Sequence, residues 1–258
     1  MIGMSDKQLK RVAPAIFASE PAEFVSDKYS FVPTNRIIDE FRGLDFYPAD
    51  ASQVASKSAN PMHAKHLVRL RHKDTNDMLR DVGDSIPEIL LINAHGWQSS
   101  YQLKGAIFRM ICSNGMIVAD QEFGSVTRIH KGFDPEDIVI ASKQFLNEVG
   151  ETFEKVNRFQ SINLDDRDVR DFGRQAARLR WDYAGDKMAE SVLQARRVQD
   201  EGNSLWLVMN RCQENLIRGG YTNIHTDRQV RPITGITADV ELNEKLWDIT
   251  EQFAHRLN

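Results

Sequence analysis

The hydrophobic period of this chain changes near Gly132, and that change limits the available folds more than any other feature. Before it, apolar residues alternate or run together in short stretches; after it, they recur every three or four positions. "HLVRLRHK" (66–73) sets Val68 and Leu70 on one side and Arg69, Arg71 and Lys73 on the other. That pattern predicts a half-buried strand with a basic outer face. "EILLINAH" (88–95) is apolar on both faces, as a central strand would be. "GSVTRIHK" (124–131) reads as a further strand.

Upstream of these, residues 1–60 are broken by Pro14, Pro21, Pro33 and Pro48, with one short helix in "PTNRIIDEFRGLDF". Thr34 or Asn35 would cap it, Ile37, Ile38 and Phe41 give its apolar face, and Gly43 ends it. Past Gly132 the helical signals follow one another. Asp134 and Pro135 open the first helix. "LDDRDVRDFGRQAARLRWDY" carries Val169, Phe172, Ala176 and Leu179 on one face. "GNSLWLVMNRCQENLIRGG" has a Ser204 cap, a stripe of Leu207, Val208, Cys212 and Leu216, and a Gly219-Gly220 stop. "LNEKLWDITEQFAHRLN" is a last amphipathic helix.

One stretch, "AIFRMICSNGMIVAD" (106–120), supports two readings. Asn114-Gly115 between apolar runs is a strong hairpin signal, which would make 106–113 a strand. Leu103, Ile107, Met110 and Ile111, however, recur at helical spacing, with Ser99 or Ser100 to cap and Gly115 to stop. The helix over 100–113, followed by a strand "MIVAD", is the preferred reading. The fold class is then α+β: a small mixed or antiparallel sheet with helices in residues 1–132, and a mostly helical region, 133–258, packed on it as one continuous domain.

Composition removes several functions. The longest apolar runs fall well short of a membrane span, and "MIGMSDKQLKRVAP" lacks the apolar core of a secretory signal. Two cysteines a hundred residues apart fit reduced thiols, and so a cytoplasmic setting. The net charge of −4 argues against indiscriminate nucleic-acid binding. Residues 1–131 hold 16 Lys+Arg against 15 Asp+Glu, and the remainder 17 against 22. Cationic binding would have to come from a concentrated face, and the acidic excess lies in the helical half.

Catalytic constellations are weak. Cys112, His95 and Asn114 nominally supply thiol, base and orienter, but nothing brings His95 to Cys112, and a buried thiol packing in the core explains the cysteine. Cys212 sits on an apolar helix stripe and reads as core. His63, His66 and His72 lack the cysteines or carboxylates that would complete a zinc set, so no metal and no cofactor is implied. Asp165, Asp166, Asp168 and Asp171 alternate with arginines as a self-paired helix face. There is no GxxxxGK[ST] loop and no GxGxxG, so nucleotide hydrolysis is not expected.

The most coherent functional signal is cationic. Arg69, Arg71 and Lys73 share a strand face; Trp97, Tyr101, Lys104 and Arg109 follow closely, and Arg128 and Lys131 lie on the later strand. Cations beside aromatic rings suit single-stranded nucleic acid, charge for phosphate and π-faces for bases. The plain alternative is that exposed strands carry Lys and Arg to discourage edge pairing.

Several blocks carry a resemblance: "APAIFASEPAEFVSDKYSFVPTNRIID", "KHLVRLRH", "LLINAHGWQSSYQLKGAIFRMICSNGMIV", and "SLWLVMNRCQENLIRGG" leading to "ELNEKLWDITEQFA". Across nearly its whole length the chain resembles domain-of-unknown-function family 932, carried by phages, plasmids and prophages. Carriage on mobile elements implies DNA metabolism or interference with host defence, an association that names no mechanism. Asn210, Gln213, Glu214 and Arg218 then form a polar stripe on one helix. Buried, the stripe is a network docking the helices on the sheet, with Arg109 as a partner; exposed, it is an interface. The expectation is a non-enzymatic, homo-oligomeric protein that binds single-stranded DNA in recombination or replication. The alternative is an inhibitor of a host defence protein acting through the acidic helical half.

Overall fold

The computed structural model describes residues 3–25, 29, 31–55, 60–73, 85–96, 101–109, 114–117, 126–128 and 154–257. The chain divides into two compact units, Met1–Met110 with Asp120–Val149, and Ile111–Ala119 with Gly150–Asn258.

The first unit is built on antiparallel strands: β1 (Phe46–Gln53), β2 (His66–His72), β3 (Ser85–Asn93) and β4 (Tyr101–Arg109), in that spatial order. A short strand β6 (Val126–Arg128) pairs with β4, so that Tyr101 faces Arg128. Pro48 lies in β1, the edge strand, where a missing N–H costs no ladder bond, and the register shifts between Pro48 and Asp50. Val68, Leu70, Ile89 and Leu91 are all buried, as the alternation in β2 and the apolar run in β3 predict. Leu90 and Ile92, on the opposite side of β3, are buried as well, so the central strand is covered on both faces. Helix α1 (Asp6–Val12) opens with a reciprocal Ser5–Gln8 capping box, and α2 (Thr34–Gly43) buries Ile37, Ile38 and Phe41.

Residues 101–109 overturn the preferred helix over 100–113. Leu103 pairs with Leu91 in β3 and with Val126 in β6, so β4 is held from both edges, and that pairing outweighs local helical spacing. Asn114 and Gly115 begin strand β5 (Asn114–Ile117) and are neither a turn nor a helix stop. Cys112 falls outside the described residues.

The second unit is helical, as the 3.6-residue period predicts. Its described part starts with a helical segment over 154–161 and continues with α3 (Asp166–Arg178), α4 (Asp186–Leu193), α5 (Leu205–Arg218) and α6 (Ile236–Arg256). The predicted helix start at Asp134 lies outside the described residues. Asp165 caps α3 by accepting from the Asp168 N–H at 2.7 Å, and Ser204 caps α5 by accepting from Leu207. Edge-on ring pairs bind the helices: Phe172 with Phe253 at 5.1 Å and Phe159 with Trp247 at 5.2 Å. At Gly173 a Cβ would come within 2.5 Å of Leu193 Cδ1, so a larger residue there would force the Leu193 side chain to shift. A two-strand hairpin, β7 (Thr222–Asn223) and β8 (Arg228–Gln229), separates α5 from α6.

Candidate functional site

Glu88 organises the cationic face of the sheet. It is the one acid in the central strand β3, and its side chain is 0% exposed. A buried carboxylate is costly unless partnered, and cross-strand pairing supplies two partners. Arg69 Nε donates to Oε2 at 2.5 Å; Arg71 donates to Oε1 through Nη2 at 2.7 Å and Nε at 3.0 Å. Their i, i+2 spacing on β2 puts both guanidiniums on the Glu88 side, and Asp50 of β1 adds a longer contact to Arg69 at 3.5 Å. The Arg69 side chain is left 13% exposed and that of Arg71 30%. The outer face of β2 is therefore clamped onto a buried acid rather than projecting into water.

The remaining candidates divide. Lys104 is half-buried on β4, in register with Leu90 and so in one cross-sheet row with Arg69. Lys73 is exposed at the end of β2, where it binds Asp45 at 2.6 Å. Tyr101 is 1% exposed, and burial raises its phenol well above the usual range, so its ring is core and not a stacking platform. Arg128 pairs with Tyr101, outside the row that holds Lys104, and Arg109 ends β4 opposite Ser85. Trp97 and Lys131 lie outside the described residues.

Behind the same sheet sits a buried polar cluster that sequence reasoning did not assemble. Thr34, His66, Asn93 and His95 are all fully buried. Thr34 does not cap α2; it is the first helical residue, and its hydroxyl is drawn inward. His66 Nδ1 donates to the Ala64 carbonyl at 2.9 Å, which leaves Nε2 to accept the Thr34 hydroxyl at 2.8 Å. Asn93 Nδ2 donates to Thr34 Oγ1 at 3.0 Å, and His95 Nε2 approaches the same oxygen at 3.3 Å. Burial lowers the His66 pKa to about 4, so the ring is neutral at pH 7. With no exposed member, the cluster ties the start of α2 to β2 and β3. His63 lies in a 3-10 turn of Pro61–His63 and does not join it.

Asn210, Gln213 and Glu214 of the polar stripe on α5 are buried and networked within the helical unit, while Arg218 is exposed. Arg197 bridges Glu214 at 2.5 Å and Asp200 at 3.0 Å, and Arg218, 41% exposed, meets Glu214 at 3.3 Å. Gln213 donates to Asn243 at 2.8 Å, while Asn210 donates back to Trp206 O of its own helix at 2.6 Å. Asn215, which the stripe reading omitted, binds the Val192 and Gln194 carbonyls and accepts from Arg196. Cys212 is buried, its thiol pushed up to about 12 by burial, so it is no nucleophile. Among the described residues no three His, Cys, Asp or Glu converge as metal ligands, and no helix is long and apolar enough to cross a membrane.

Comparison with known proteins places the chain. It is 32% identical to the UPF0380 proteins YafZ and YfjQ of Escherichia coli strain K12, in each case over 98% of this chain and 93% of the relative. No solved structure matches it. The model of the "Domain of unknown function (DUF932)" matches residues 21–247, which include both arginine-held carboxylates and the buried histidine cluster, and the chain belongs to that family.

Proposed function

We propose that this protein binds single-stranded nucleic acid, without chemistry of its own, in the recombination or replication of a phage, plasmid or prophage in the bacterial cytoplasm. The observation that carries the reading is the pair of arginines fixed on Glu88, with Lys104 in the same cross-sheet row. Guanidiniums ordered in advance lose less freedom when they meet a phosphate backbone. Among the described residues, Arg69, Arg71 and Lys104 outnumber Glu88 and Asp50, in a half whose charge is otherwise about balanced. Several copies would bind side by side along a strand.

A second reading, an inhibitor docking on a basic host defence protein, draws on α6. Asp248 has a raised pKa from partial burial and from Glu251 and Glu244 beside it, the mark of acids crowded on one helix face.

The test of the first reading is fluorescence anisotropy of a labelled single-stranded oligonucleotide, titrated with salt and compared with duplex. Expected is tighter binding to the single strand, with affinity falling on a log–log slope of about −0.7 per phosphate contacted. No binding at low salt would exclude the reading.

A further inference from the structure

We infer that the β7–β8 hairpin, together with Tyr183, is a second contact for single-stranded nucleic acid, supplying the exposed ring and open cations that the sheet row does not. The inference rests on the ligand class proposed above, but on different residues in a different unit. Arg228 and Arg231 are exposed and make no ion pair among the described residues, unlike the arginines clamped by Glu88. Tyr183 is 51% exposed and Ile224, at the hairpin tip, 46%.

The ring is exposed yet fixed. Its hydroxyl accepts from Asn223 Nδ2 at 3.0 Å, and it stands edge-to-face with His225, centroids 4.9 Å apart. An aromatic side chain ordered in advance offers a base a stacking surface with little further loss of entropy. Phe24 is also exposed, but no cation is described beside it.

The hairpin itself is tightly seated. Gly219 has φ of 60°, and a Cβ there would collide with the Val230 carbonyl, so only glycine lets α5 turn into the hairpin. Gly220 N–H donates to that same carbonyl at 2.9 Å, and Val230 N–H donates to Tyr221 O at 2.8 Å. Arg180 donates to the Leu216 and Arg231 carbonyls, and its guanidinium lies over Trp181. Asn223 Oδ1 accepts from the His225 and Thr226 N–H groups to close the turn. Two exposed acids, Asp182 and Asp227, lie close by in the chain and limit the net charge, so stacking on Tyr183 has to carry much of the binding.

The experiment compares oligonucleotide affinities of the full chain, the double variant Arg228→Glu/Arg231→Glu, Tyr183→Ala, Tyr183→Phe and, for the sheet, Lys104→Glu, with folding of each confirmed by circular dichroism. The hairpin double variant should lose about tenfold or more in affinity and lower the salt slope by about 1.4, the share of two phosphates. Tyr183→Ala should lose about tenfold, the worth of one stacked base, and Tyr183→Phe, which keeps the ring and its contact with His225 but not the Asn223 bond, should lose less than Tyr183→Ala. Loss on Lys104→Glu with hairpin variants at wild-type affinity overturns the inference and leaves the sheet reading standing. Loss in the hairpin variants alone supports the inference and removes the sheet. A wild-type chain that binds no oligonucleotide overturns both.

Discussion

Each unit buries one carboxylate between two guanidiniums, and the two arrangements differ in how they are reached and what surrounds them. In the sheet unit, Glu88 meets Arg69 and Arg71 across neighbouring strands, and Thr34, His66, Asn93 and His95 form a separate buried polar cluster behind the sheet. In the helical unit, Glu214 meets Arg218 four residues along its own helix and Arg197 from the preceding loop, while Asp200 provides Arg197 with a second acid. The difference teaches that an arginine in a strand pattern does not make surface charge until its acid has been located. The arginines that look most available in sequence are held by Glu88. Those of the hairpin, in a stretch without clear periodicity, are open.

The largest expected effect comes from removing the clamp. Glu88→Ala leaves Arg71 without its buried acid and Arg69 with only the longer contact to the exposed Asp50, and should cost about 3–5 kcal/mol in denaturant unfolding. Glu214→Ala should cost less, because Arg197 keeps Asp200 and Arg218 already reaches water. If Glu214→Ala proves the more damaging, the contrast between the clamps is wrong.

Acidification should separate the units in opposite directions. His66 is held near pKa 4 when folded and returns to about 6.5 when unfolded, so the unfolded chain binds the extra proton. The sheet unit therefore loses stability as pH falls from about 6.5 to 4, by about 2 kcal/mol at pH 5. Asp239 runs the other way: burial lifts it to about 6, against the opposing hydrogen bond from Asn243. The folded chain takes up that proton first, so the helical unit gains stability as pH falls from about 6 to 4. Hydrogen exchange, corrected for its intrinsic pH dependence, should show β2 and β3 amides losing protection between pH 7 and 5 while α6 amides hold theirs. Equal loss in both would remove the distinction.

Much of the fold was legible. The alternation of "HLVRLRHK" predicted β2, the apolar run of "EILLINAH" predicted β3, and the 3.6-residue stripe with Ser204 and Gly219 delimited α5. What failed depended on pairing. The apolar spacing from Leu103 to Ile111 fits a helix locally, but β3 pairs along Gln102–Arg109 and β6 along Tyr101–Leu103, and apolar residues on both faces of a paired strand imitate a helical stripe. Thr34 looked like a cap because nothing local reveals the imidazoles waiting for its hydroxyl. Of the site, the sequence displayed Arg69 and Arg71 but not their acid, since Glu88 joins them only once the strand register is set. A lone glutamate in a strand apolar on both faces was the available signal. The hairpin cations offered none, because Tyr183, some forty residues earlier in the chain, reaches the hairpin only through Asn223 and His225, and Arg228 lies opposite Asn223 only once β7 and β8 pair.

The most direct test of nucleic-acid binding is photocrosslinking of a bromouracil-substituted single-stranded oligonucleotide to the intact protein, followed by peptide mapping. Crosslinked peptides carrying Tyr183 or the 222–231 hairpin, and others from the Arg71 and Lys104 strands, are the predicted result. Crosslinks confined to the acidic face of α6, or none at all, would contradict it.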